Sequence, residues 1–151
     1  MPKITEADVQ RDNGSDHCGT YEALLFSDTG KLTQFGAFVE ILHPGARSSV
    51  KHWHRNEDEM VFMLEGEAVL HEGDTTQVLR PGDAATFRAG DALGHCLENR
   101  SENPIRYLVI GTRSGGDVVT YPDDNRRLEF RRGVSERVWT DLDGKPSGPI
   151  G

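Results

Sequence analysis

Cysteine is scarce in this chain. Only Cys18 and Cys96 occur among 151 residues, too few for a disulfide framework or a zinc ribbon, so both are expected as reduced thiols. Long apolar runs are missing as well, and nothing approaches the roughly 18 residues that span a bilayer. The opening Met1-Pro2-Lys3-Ile4-Thr5-Glu6-Ala7-Asp8 carries acids where a secretory signal has an apolar core. No membrane partner is expected, and the cytoplasm is the expected compartment. Positive charge is in deficit, the formal net charge being −8. That speaks against general nucleic-acid binding, because phosphate contacts need clustered cations. The late arginines Arg126, Arg127, Arg131 and Arg132 are interrupted by Asp123, Asp124 and Glu129 and read as a solvated surface. Sustained helical periodicity is absent from the middle of the chain, and there is no internal repeat or low-complexity tract.

What is present is a succession of short β-forming segments between turn residues. Strands are expected at Tyr21 to Phe26, Gln34 to Leu42, around His52 and His54, and at Glu59 to Leu64. Further strands are expected at Gly66 to His71, Thr75 to Leu79, Ala84 to Phe87, His95 to Asn99 and Ile105 to Gly111. Asp12-Asn13-Gly14-Ser15-Asp16 reads as a loop and Ser27-Asp28-Thr29-Gly30 as a turn. Beyond Thr112 the pattern weakens. Arg113-Ser114-Gly115-Gly116 reads as a flexible joint, Leu128 to Phe130 and Arg137 to Thr140 as either short strands or an arm packing on the body or on a second subunit, and the chain from Asp143 as an exposed tail. Many short strands with regular turns mean an all-β sandwich or barrel, and the length suits one domain. The expected division is an N-terminal segment 1–33, a barrel core 34–112 and a C-terminal arm and tail 113–151.

The chemistry gathers at His52-Trp53-His54. Side chains at i and i+2 of a strand share a face, so the two imidazoles project together, as two ligands of one ion must. Carboxylates follow at Glu57, Asp58 and Glu59, and a third imidazole stands far downstream at His95. Trp53 and Cys96 point to the opposite faces of their strands; Cys96 is expected to pack in the core, and Trp53 either to pack or to lie at a subunit contact. His43 and His71 lie at turns and are expected to be exposed, and His17 and Cys18 are expected in a loop without a metal.

These residues resemble the cupin superfamily, a small jelly-roll (double-stranded β-helix) barrel. Gly45, His52, His54, Glu59 and Gly66 match its first motif, with one extra residue between Gly45 and His52. Gly82-Asp83, Gly90, His95 and Asn99 match the second, with Arg88 where proline is usual and a longer interval from Gly90 to His95. The match covers roughly residues 34 to 112, and the chain looks like small single-domain cupins, some labelled sugar-phosphate isomerase-like. The resemblance implies His52, His54, Glu59 and His95 as ligands of a divalent transition metal: zinc, nickel, iron or manganese. Its spacing selects Glu59 over Glu57 and Asp58.

Around that centre several assignments stay open. Asn99 either supports the site through a hydrogen bond or only ends its strand. Val61 and Met63 share the face of Glu59 and line either a pocket or the core. Arg47 and Lys51 lie near the expected barrel mouth, where they either hold an anion or are ordinary surface charge. Alternation turns either Arg106 or Tyr107 inward. The expected activity is that of a metalloenzyme on a small polar or anionic molecule: isomerase, epimerase, lyase or, with iron, dioxygenase. A metal-dependent metabolite-binding module is the alternative. No helix-turn-helix segment accompanies the barrel, so a DNA-binding cupin is not expected, and exposed barrel strands suggest a homodimer.

Overall fold

Alternation along the strands decides which face of each is covered. In the computed structural model, which describes residues 3–150, Glu59–Glu65 (β5) buries Val61 and Met63 and exposes Phe62 and Leu64. Ile105–Thr112 (β10) buries Ile105, Tyr107 and Val109 in the same manner. These inward sets meet those of Phe35–Leu42 (β3), Ala68–Glu72 (β6) and His95–Glu98 (β9) in one core that includes Leu42, Leu70 and Leu97. Burial of that apolar surface between sheets is the main stabilising term.

The remaining strands are Arg11–Asp16 (β1), Gly19–Leu24 (β2), Trp53–His54 (β4), Thr75–Leu79 (β7), Ala84–Phe87 (β8), Gly116–Tyr121 (β11), Arg126–Arg131 (β12) and Arg137–Thr140 (β13). All named pairings are antiparallel. One six-stranded sheet has the order β1-β2-β3-β10-β5-β8; a second runs β13-β12-β11-β4, and a third β7-β6-β9. The last two are joined by a bridge between His52 and His95, so the fold is an all-β jelly roll with two facing layers. A four-residue helix at Phe26–Thr29 (α1) and a single 3-10 turn at Pro122–Asp124 are the described helical elements. Among the described residues no helix is long and apolar enough to cross a membrane.

Gly66 illustrates how the motif glycines serve the barrel. It takes a left-handed φ of +77°, and a Cβ there would lie 2.6 Å from Ile105 Cγ2, so only glycine lets the β5–β6 turn close onto β10. On the outer face of the six-stranded sheet, Val9, Leu24 and Val39 form a second apolar cluster with Ile4, Phe26 and Leu108, which fastens the N-terminal segment.

Three expectations are corrected. Asp12 to Asp16 is not a loop but most of β1, paired with β2 from Arg11↔Leu24 to Asp16↔Gly19. Its residues are mainly exposed on a sheet edge, so no apolar alternation marks it. Arg113 to Gly116 is not a flexible joint, because Gly116 already opens β11 and Arg113 donates to the Leu32 carbonyl at 2.8 Å. His71 is buried, its Nε2 lying 2.9 Å from Glu98 Oε1 across the β6–β9 pairing.

Candidate metal centre

Backbone pairing brings the three imidazoles together. The His52 N–H donates to the His95 carbonyl at 3.2 Å, and the His95 N–H returns to the His52 carbonyl at 3.0 Å. This bridge puts the two rings 4.8 Å apart, and His54, two residues on, brings its ring to 5.1 Å from that of His52. Glu59 opens β5 in the facing sheet. Its Oε1 is 3.1 Å from His95 Nε2 and its Oε2 3.9 Å from His54 Nε2. Donor atoms of His52, His54 and Glu59 all lie within 4.8 Å of one another.

Hydrogen bonds behind the rings select the nitrogens that face inward. The Nδ1 of His52 lies 3.1 Å from the Val50 carbonyl, which can only accept, so its proton sits there and Nε2 keeps a lone pair. His54 Nδ1 is 2.6 Å from Asp117 Oδ2 in the same way, and Asp117 is 2% exposed. The other Asp117 oxygen accepts the backbone N–H groups of Asn56 and Val118, each at 2.8 Å. Phe87 stacks on His95 with centroids 3.6 Å apart and planes within 4°. Burial and the neighbouring His95 push the His52 pKa down to about 4, so it is neutral at pH 7. Burial raises the Glu59 carboxyl, but the hydrogen bond and charge of His95, with His52 and His54, more than offset this and hold it below its ordinary value. Three imidazole nitrogens, one of them on a carboxylate-backed histidine, and a carboxylate are the donor chemistry that a divalent transition metal takes.

A cavity of about 140 Å³ lies against this cluster, lined by His52, Glu59 and His95 together with Val61, Tyr107 and Glu40. Alternation is thereby resolved: Tyr107 is 1% exposed and faces in, whereas Arg106 turns out to pair with Glu6. The Tyr107 hydroxyl donates to Glu40. Burial drives the Glu40 carboxyl up to about 7, against the opposing effect of the Tyr107 hydrogen bond.

The other candidate residues go elsewhere. Met63 is fully buried in the core. Asn99 is also fully buried and donates to the carbonyls of Leu42 at 2.9 Å and Asn103 at 2.8 Å, which pins the turn after β9. Lys51 donates to the Gly73 carbonyl at 2.8 Å and pairs with Asp123 at 3.7 Å, while Arg47 pairs with Glu98 at 3.7 Å. Glu57 accepts from Ser114 and Arg132, and Asp58 from the Ala89 N–H.

Sequence reasoning passed over Asp117 and Glu40. The signal for Asp117 was the β-branched run Val118-Val119-Thr120 after it. That for Glu40 was a carboxylate sharing a strand face with Phe38 and Leu42, both part of the core packing.

Residues 38–111 match the Cupin domain family. Over 97% of both chains the fold also superposes, with a TM-score of 0.88 and 34% identity, on a sugar phosphate isomerase of the cupin superfamily from Silicibacter pomeroyi DSS-3. The chain belongs to the cupin superfamily. A candidate sugar phosphate isomerase from Acidithiobacillus ferrooxidans ATCC 23270 shares the fold with a TM-score of 0.84 and 24% identity, over 98% of this chain and 97% of that one. A predicted oxalate decarboxylase from Thermotoga maritima does so with a TM-score of 0.62 and 20% identity, over 74% of this chain and 99% of that one. No curated protein matches. In this cupin the first motif's His54 lies on β4 with His52 just before it, its Glu59 opens β5 and the second motif's His95 opens β9, and these side chains converge between the two layers.

Proposed function

We propose that this cupin is a metal-dependent enzyme that isomerises, epimerises or cleaves a small polar or anionic molecule such as a sugar or carboxylate. The observation that carries the reading is Glu40, an ionisable group outside the proposed ligand set that shares a cavity with His52, Glu59 and His95. A divalent metal held by His52, His54, Glu59 and His95 would supply Lewis acidity to a substrate oxygen. Glu40 then takes a proton from the neighbouring carbon and returns it. A carboxyl with a pKa of about 7 is matched to that exchange at neutral pH. Tyr107 orients the carboxyl by its hydrogen bond, and Val61 and Phe38 give the cavity an apolar wall. The name of the Silicibacter relative favours a sugar-like substrate, by analogy of fold and sequence.

The test is deuterium exchange. Protein loaded in turn with zinc, nickel, manganese or iron is incubated with aldoses, ketoses and hydroxy acids in heavy water and followed by proton NMR. Exchange by the wild type that falls at least a hundredfold in Glu40→Gln, with metal content unchanged, is expected. Binding without exchange by every metal form would leave a metabolite-binding module, and oxygen consumption by the iron form alone would leave a dioxygenase.

Two unpaired thiols, Cys18 and Cys96, fit a reducing compartment such as the cytoplasm. A homodimer would cover Phe62 and Leu64, which are 37% and 41% exposed on the outer face of β5. Light scattering that gives 16.7 kDa, the mass of one chain, would exclude it.

A further inference from the structure

A second cavity, of about 390 Å³, abuts the first and shares Glu40, Ser48 and Ser49 with it. Its distinguishing feature is aromatic. Tyr121 and Trp139 stack with centroids 5.8 Å apart and planes 26° from parallel, and the Tyr121 ring is 6.0 Å from that of His52. A row of flat faces thus runs from Trp139 to the imidazole cluster. Tyr121 ends β11 and Trp139 lies on β13, both outside the 38–111 span that the family shares. They belong to the C-terminal strands, which the superposition on the Silicibacter relative also covers.

The charges around this vestibule do not suit a phosphate. Arg47 and His17 are the basic side chains on its wall, and Glu98 already faces Arg47 at 3.7 Å. The carboxyls of Asp16 and Glu40 line the same space, so a dianion would meet more repulsion than attraction. An uncharged flat ring, by contrast, gains contact with two aromatic faces and loses no charge solvation.

We propose that the vestibule holds an uncharged ring of the substrate, aromatic or saturated as in a pyranose, while the substrate's oxygen-bearing end reaches His52, Glu59 and His95. This deepens the function proposed above and rests on the metal-site reading. Trp139 and Tyr121 are binding residues for the ring, and the size of the two adjoining spaces suits a ring joined directly to its polar group.

The test is calorimetry on zinc-loaded protein with acetohydroxamate, a metal-binding head with no ring, and benzohydroxamate, the same head with one. Benzohydroxamate is expected to bind about tenfold more tightly, the worth of one good aromatic stack. Trp139→Ala is expected to abolish that gain and Trp139→Phe to keep most of it, both leaving acetohydroxamate affinity unchanged as the control for folding. Cyclohexanecarbohydroxamate separates the two ring types: parity with benzohydroxamate supports a saturated ring, and weaker binding an aromatic one. Equal affinity for acetohydroxamate and benzohydroxamate would overturn the ring site and spare the metal site. Tighter binding of 4-phosphonooxybenzohydroxamate than of benzohydroxamate would overturn the exclusion of phosphate. If neither hydroxamate binds, both readings fall; if benzohydroxamate alone binds, with or without zinc, and depends on Trp139, the ring site stands and the metal site falls.

Discussion

Glu40→Gln should stabilise the metal-free protein at pH 8 and leave it nearly unchanged at pH 4.5. The carboxyl has an ordinary value of 4.5 and is held at about 7 in the folded chain. Between these values the unfolded chain has released its proton and the folded chain has kept it. Folded molecules therefore bind more protons, and stability falls as pH rises through the window. At about 1.4 kcal/mol per pH unit, the ionised group is worth about 3 kcal/mol of destabilisation above pH 7. Glutamine retains the oxygen that accepts from Tyr107 and removes the titration. His52 acts in the opposite sense: held at about 4 against an ordinary 6.5, it lets the unfolded chain bind the extra proton, so stability rises with pH between these values. In the wild type the two slopes offset each other from pH 4.5 to 6.5, and the variant should expose the rise due to His52. Urea unfolding in chelator across pH 4.5 to 8 reads both. A difference between variant and wild type that stays flat with pH would refute the burial argument for Glu40.

Two further changes probe the frame of the site. Asp117→Asn keeps the shape but weakens the hold on His54 Nδ1, and metal affinity measured by chelator competition should fall about 10- to 100-fold; unchanged affinity would remove Asp117 from the site. Gly66→Ala forces a side chain into a left-handed position 2.6 Å from Ile105 Cγ2 and should cost about 2 kcal/mol or more in urea unfolding, whereas a neutral result would contradict the close approach of that turn to β10.

Local pattern carried much of this fold into the sequence. Thr75–Leu79, Ala84–Phe87 and Arg137–Thr140 are strands with the expected ends, the first two bounded by the tight turns Gly73-Asp74 and Pro81-Gly82. β1 was illegible because its hydrogen bonds to β2, not apolar contacts, hold it. β11 was hidden by Gly115-Gly116, a pair that reads as a break although Gly116 is already paired with Arg131. At the site, the period of a strand sufficed to place His52 and His54 together even though β4 has only two residues. Partners set by tertiary pairing were another matter. Asp117 lies 63 residues from His54, and nothing local to either names the other. Asn99 and Lys51 carry suitable groups near the motifs, yet backbone carbonyls of Leu42, Asn103 and Gly73 take them. Glu40 was legible in principle, since a carboxylate on the core face of an apolar strand must have a partner or a purpose.

The central claim is that His52, His54, Glu59 and His95 hold one metal ion. Elemental analysis of protein purified without a histidine tag, beside His52→Ala and His95→Ala, tests it most directly. Near-stoichiometric divalent metal in the wild type and its loss in both variants is the predicted result. No metal in the wild type even after reconstitution, or full retention in both variants, would contradict it.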